Sequence, residues 1–293
     1  MAAYPEDLDR WRTAARISAQ ARDLGARMIE PGVERRTVAE AIESFMRSKG
    51  AEPAFPANLS RNHEAAHYTP SSDDSVTFER GDLVKVDVGA HLDGAIADTA
   101  ETVEVGGTRK YENLKRAADE AVWAGIAQVH AGGRIDDVSR AIEAAIHARG
   151  FRPVSDLTGH LIQSYLLHAR KSVPNVGGVT EERFVEGEIV AIEPFATNGI
   201  GHIANGTFGN IERFRRDPGT ANPALARLYA RFRTLPFTVR WITDPGEQEA
   251  LRRGRKYLQR YPVFLEQAGG FVAQAEHTVL VGANRAEVLT ALD

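Results

Sequence analysis

The chain repeats itself, and the repeat limits what it can fold into. PGVERRTVAEAIESFMRSKG at 31–50 aligns without a gap on AGGRIDDVSRAIEAAIHARG at 131–150, an offset of one hundred residues. Gly32, Val38, Ala41, Ile42, Glu43 and Gly50 recur as Gly132, Val138, Ala141, Ile142, Glu143 and Gly150. Further on, RGDLVKVD (80–87) is echoed by EGEIVAIE (186–193), so Asp87 answers Glu193, and His67 answers His168. Such a period is too long for a solenoid, whose repeats run about 20–50 residues. It predicts a duplicated helix–helix–strand half-domain, two halves facing each other in one α+β domain. Asp87 and Glu193 would then meet near a pseudo-twofold axis. A solvated acid has no reason to recur as a carboxylate at the matching place of the other half.

The elements of each half follow from apolar spacing and stop signals. Leu8 to Ile29 reads as an amphipathic helix closed by Pro31-Gly32, and Thr37 to Lys49 as a second with Gly50 as its cap. Tyr111 to His130 and Asp137 to Arg149 repeat the pair, closed by Gly132-Gly133 and Gly150. Between the pairs, AFPANLSRNHEAAHYTPSS reads as a loop-rich stretch. It leads into LVKVDVGAHLDGAIADTAETV, two strands joined through His91-Leu92-Asp93-Gly94. Asp-Gly between alternating apolar residues is a strong hairpin signal. In that hairpin Asp87 and Asp98 fall on one face, opposite or diagonal to each other. Like charges so placed repel. A solvated face and a shared cation both resolve the conflict, and the hairpin alone does not choose.

After Glu193 the pattern changes. From Gly206 to about Phe264 the chain is rich in arginine and aromatics, basic within an overall charge of −4, and reads as a small insert with two or three short helices. FVAQAEHTVLV then forms a last strand, with Gln274, Glu276 and Thr278 on one face. Cysteine is absent, which excludes disulfides, thiolate metal sites and a Cys nucleophile. No apolar run approaches the roughly 20 residues that span a bilayer. The opening MAAYPEDLDRWR lacks the apolar core of a signal peptide. A cytosolic enzyme or binding protein is the expectation.

Asp87, Asp98, His160 (in LTGH), Glu193 (in AIEPF) and Glu276 (in AQAEHT) come in order along the chain. They are accompanied by NLSRNHEAAHYTP, VDVGAHLDGAIADTA, GHLIQSYLLHARKSVPN, IEPFAT and FRTLPF. This constellation resembles the type II methionine aminopeptidases, in their short, archaeal-like form, over nearly the whole chain. The resemblance implies the pita-bread fold, α+β with two pseudo-symmetric halves. It assigns 1–205 and 265–293 to the catalytic domain and 206–264 to an inserted small helical, winged-helix-like subdomain. It implies removal of the initiator methionine of nascent proteins when the second residue is small, by a hydroxide held between two divalent ions (Co, Mn, Fe or Zn). Four carboxylates and an imidazole are hard donors that suit such a pair.

By the same resemblance Asp98 and Glu276 bridge the ions, Asp87 completes one site, and His160 and Glu193 complete the other. Glu193 is the proton shuttle. His67 and His168, paired by the internal repeat, contact the substrate amide, and Phe55 is a wall of the methionine pocket. A core position is the plainer reading of Phe55, and of His168 taken alone beside Leu166 and Leu167. The expected partners are N-terminal methionyl peptides, with no membrane and a monomeric chain. The basic insert is either a solvated face or a surface that meets ribosomal RNA. Two rival readings stand beside this one. A proline-specific peptidase of the same fold usually carries a separate N-terminal domain. A catalytically dead relative that binds RNA or protein would have lost metal ligands.

Overall fold

Four helices form where the repeat places them: α1 (Leu8–Met28), α2 (Arg35–Ser48), α3 (Glu112–Ile126) and α4 (Ile135–Ala148). The computed structural model describes residue 5 and residues 7–220 and 222–292; the remaining residues of the two assigned domains lie outside the described residues. Gly50 and Gly150 follow α2 and α4 with φ of 81° and 79°, the left-handed turn that glycine adopts without cost. Val38, Ile42 and Met46 of α2 bury against Leu59, Val84 and Val86. In the second half Val138, Ile142 and Ile146 of α4 bury against Leu161, Val190 and Ile192. Each such side chain contributes about 1.5–3 kcal/mol by leaving water.

The helix pairs pack closely because each has a glycine at the contact. A Cβ on Gly25 of α1 would lie 2.5 Å from Ile42 Cδ1, and one on Gly125 of α3 would lie 2.9 Å from Ile142 Cγ1. The two glycines are one hundred residues apart, so the repeat extends to the packing itself. Alanine at either place would force the facing isoleucine side chain to shift.

The large sheet is antiparallel. Its strands run in the order Glu52–Pro53, Leu83–Leu92, Ala95–Glu104, Glu276–Val281, Ile189–Ile192, Thr158–Ile162, Ser172–Pro174. Asn58–Arg61 also pairs with Leu83–Leu92, and so lies in the first half as Thr158–Ile162 lies in the second. The pseudo-twofold axis therefore passes between Ala95–Glu104 and Glu276–Val281. The hairpin turns at Asp93-Gly94, with φ of 47° and 90° as a two-residue primed turn demands.

Three expectations need correction. The stretch read as loop-rich also holds two short strands that the sequence reading does not place, Asn58–Arg61 and Glu64–Ala66, too short to show alternation. The last strand is two strands: Val272–Gln274 pairs with Phe195–Thr197 in a small sheet, and Glu276–Val281 joins the large one. A matching break falls at Glu193-Pro194, where proline has no N–H for the ladder. Finally, the segment after residue 200 is more than helices. Ile203–Phe214 and Leu258–Glu266 form a long ribbon, with α5 (Pro223–Phe232) and α6 (Pro245–Arg253) packed at its far end. Register shifts between Asn205 and Phe208 and between Phe208 and Glu212 hide the strand period. Phe214, Leu228, Phe237, Leu251 and Leu258 give this segment its own apolar cluster.

Candidate metal centre

The acids converge because the strands do. Gly89 lies opposite Asp98 in the hairpin and Asp87 opposite Ala100, so the two aspartates are diagonal on one face. Glu276 lies opposite Ala100 across the axis. His160 lies opposite Ala191, and Glu193 follows the end of the strand Ile189–Ile192. Asp98, His160 and Glu276 present one ligand atom each within 4.8 Å of one another, and all three are buried. His160 Nε2 stands 3.7 Å from Asp98 Oδ2 and 3.6 Å from Glu193 Oε1. Asp87 and Glu193 line the same cavity of about 200 Å³, as do His67, His168 and Phe55. The structure thus brings together every residue singled out in the sequence.

Threonines fasten the strands that carry the acids. Asp98 donates its N–H to Thr278 Oγ1 (2.8 Å), and that hydroxyl donates to the Asp98 carbonyl (2.7 Å). Thr99 Oγ1 donates to the Glu276 carbonyl, and Thr102 Oγ1 to that of Gln274. Gln274 is a residue of this cluster that sequence reasoning leaves without a role. Its Nε2 donates to Asp87 Oδ2 and to Glu193 Oε2, both at 3.3 Å, so one amide joins the two pseudo-equivalent acids. The signal was its place two residues before Glu276, on one face of the single strand the sequence predicts.

Electrostatics make these carboxylates costly to ionise side by side. Burial pushes the Asp87 carboxyl up to about 7. Burial, and then mutual repulsion, push Asp98, Glu193 and Glu276 well above the usual carboxylate range. Among the described residues no lysine or arginine pairs with any of the four. Asp98 Oδ1 and Glu276 Oε1 are buried without a hydrogen-bond partner. Buried charge is tolerated only when paired or coordinated. Four hard oxygen donors and the His160 imidazole, which burial holds neutral, fit divalent cations.

The walls are organic. Phe55 packs over Gly89, where a Cβ would meet its ring at 2.5 Å. It is buried in the core and lines the cavity as well, so both readings of it hold. His67 contacts Tyr261 and Phe264, which come from the inserted ribbon, with ring centroids at 5.2 and 4.5 Å. Burial, then His168, lowers His67 to about 4. His168 lies 4.4 Å from the His160 ring. His168 is exposed as a residue and lines the cavity; burial, then Arg213, lowers its ring to about 4.

Comparison with known proteins agrees with this geometry. Residues 9–283 match the family model of metallopeptidase family M24. The chain is 38% identical over 284 residues to the methionine aminopeptidase of Methanocaldococcus jannaschii, covering 94% of this chain and 96% of that protein. It is 42% identical over 287 residues to the methionine aminopeptidase of Archaeoglobus fulgidus, with 94% and 96% covered. The crystal structure of methionine aminopeptidase from Rickettsia prowazekii superposes with a TM-score of 0.74 at 22% identity, covering 99% of this chain and 100% of that one. The shared fold is the pita-bread fold.

Proposed function

The chain belongs to metallopeptidase family M24, and from that premise we infer that it is a methionine aminopeptidase of archaeal type that removes the initiator methionine ahead of a small second residue. One observation carries the reading beyond family membership. Asp98, His160 and Glu276 present ligand atoms within 4.8 Å of one another, Asp87 and Glu193 line the same cavity, and two buried oxygens of the set have no other partner. Asp98 and Glu276 stand diagonally across the axis and would be shared by two divalent ions. Asp87 would serve one ion, and His160 with Glu193 the other. The geometry leaves Co, Mn, Fe and Zn equivalent, since their ligand preferences overlap. When bound, such ions supply Lewis acidity and acidify water so that a nucleophile exists at neutral pH.

The residues of the chain do the rest. Glu193, within reach of both His160 and Gln274, takes a proton from the attacking water and returns it to the leaving amine. The carbonyl carbon gains oxygen, the C–N bond breaks, and the free methionine leaves as carboxylate. His67, uncharged at neutral pH, contacts the substrate amide by hydrogen bonding and does not protonate it. His168 contacts it from the other half. Phe55 and the ribbon residues Tyr261 and Phe264 enclose the apolar first side chain.

We assign residues 1–205 and 265–293 to the catalytic domain and 206–264 to the inserted subdomain. Nascent methionyl peptides are the partners of a monomeric, cytoplasmic enzyme, and among the described residues no helix is long and apolar enough to cross a membrane. The basic insert answers part of its own charge: Arg252 and Arg253 both pair with Glu249, and Arg260 with Glu212. That favours a solvated face over a ribosome contact. The test is hydrolysis by metal-stripped protein with single metals added back, offering Met-Ala-Ser beside Xaa-Pro peptides. Metal-dependent release of methionine is expected. Preferential cleavage of Xaa-Pro peptides, or no cleavage with any metal, would overturn the assignment.

A further inference from the structure

We propose that residues 233–241 form a strap that crosses the cleft, and that the buried Glu43–Arg240 pair anchoring it is a positioning device that sets the first-residue pocket. The proposal rests on the aminopeptidase reading and adds a specificity determinant outside the site. The strap leaves α5 at Arg233, whose guanidinium lies 3.9 Å over the Tyr165 ring of the second half. Thr234 Oγ1 donates to the Tyr165 carbonyl. Arg233 and Tyr165 both have left-handed backbones, φ of 51° and 57°, a conformation that side chains other than glycine rarely adopt. This anchor is built against local preference.

The middle of the strap belongs to both halves. Leu235 is buried in one apolar cluster with Phe55 and Ile96 of the first half and Ile162 and Leu167 of the second. Pro236 lines the cavity. Phe237 turns away into the cluster of the insert. Substrate would therefore meet Pro236 between two roots, one in the catalytic body and one in the insert.

The far anchor is the stronger. Arg240 Nη1 and Nη2 donate to the two oxygens of Glu43, each at 2.8 Å, and Trp241 Nε1 donates to Glu43 Oε2 at 2.7 Å. The pair is nearly buried, with side-chain exposures of 6% and 2%. Glu43 Oε1 also accepts the Ala57 N–H (3.3 Å), from the loop that carries Phe55. One carboxylate thus holds the strap and the opposite pocket wall in a fixed relation. Bidentate pairing gives direction as well as energy. Glu143, the counterpart of Glu43 in the second half, accepts the Gly177 N–H and supplies the internal control.

Four variants test the strap: Glu43→Gln, Arg240→Lys, Arg233→Gly and Glu143→Gln. Arg233→Gly removes the stacking while favouring the backbone, so it is expected to fold even where Glu43→Gln does not. The three strap variants should raise KM for Met-Ala-Ser by about tenfold with kcat nearly unchanged, the mark of lost ground-state positioning. Preference for Met over Leu at the first residue should narrow with it. Amide hydrogen exchange over 233–241 should quicken. Glu143→Gln should leave all three readouts at wild-type values. Wild-type KM, preference and exchange in folded strap variants would overturn the proposal, and so would an equal shift in Glu143→Gln. If wild-type enzyme fails to cleave Met-Ala-Ser, the aminopeptidase reading is what fails, and the exchange measurement still decides whether the strap is held by these anchors.

Discussion

The two halves of the molecule share their scaffold and differ in their chemistry. Gly25 and Gly125 make the same close approach, to Ile42 and Ile142. Asp98 and Glu276 flank the axis, Asp87 and Glu193 stand next outward, and in both pairs a carboxylate answers a carboxylate. One strand further out the symmetry ends. His160 of the second half has Ser60 at its equivalent place, and Ser60 only accepts the N–H of Tyr68. The histidine pair diverges as well: His67 is packed on Phe264, and His168 on His160. Duplication gives a cage of acids around an axis. Asymmetry gives that cage one imidazole and two unlike walls.

The largest effect should come from the pair at the axis. Asp98→Asn and Glu276→Gln each keep shape and remove a shared charge. Either should abolish activity and reduce bound metal below two ions per chain by elemental analysis. The two losses should match. Full activity in either variant would break the symmetric picture.

Next comes the linkage between acid and metal. The folded carboxyl of Asp87 sits at about 7 instead of its ordinary 3.8. Between those values the folded metal-free protein keeps a proton that the unfolded chain releases. Its contribution to stability is therefore full below about pH 4 and is lost as pH rises through 7. His67, lowered to about 4, acts in the opposite sense and removes stability as pH falls from 6.5 to 4. A cation relieves the ionised acids, so added metal should raise the melting temperature most at neutral pH and hardly at all near pH 5. The increment follows metal occupancy, so it should shrink over the pH range in which the buried acids take up protons. An increment independent of pH would mean that the acids are not the ligands.

The third test separates walls from cage. His67→Ala and His168→Ala should each retain metal while kcat falls by about 10²–10³-fold, the range for one lost polarising group. Metal loss in either would move that histidine into the ligand set.

Much of this was legible in the sequence, and the reason is physical. The repeat exposes helix packing and carboxylate positions, because both are set by residue type at a fixed spacing. The Asp-Gly turn fixes the hairpin register and hence the diagonal of Asp87 and Asp98. The ribbon Ile203–Phe214 was hidden, since its register shifts erase the period of two. The break at Ala275 was hidden too, because it depends on a contact with the Pro194 carbonyl, 81 residues away in the chain (275 − 194). Glu43 recurs visibly as Glu143, yet only the fold reveals that the first copy reaches the insert.

Gln274 offers the finest test of the comparison. A residue on a pseudo-twofold axis has no partner in the other half, since the axis would map it onto itself. Its amide meets that condition: one –NH2 group stands 3.3 Å from Asp87 Oδ2 and 3.3 Å from Glu193 Oε2. Two hydrogens on one nitrogen suffice for two acceptors. Buried as it is, the amide orients both acids without carrying charge. Gln274→Met keeps the volume and removes both donors. Loss of such a supporting contact typically costs about 10–100-fold in metal affinity. Because the amide is shared evenly, both binding steps of a calorimetric metal titration should weaken together. A loss confined to one step would show that Gln274 supports one half alone, and the axis would then end at the backbone.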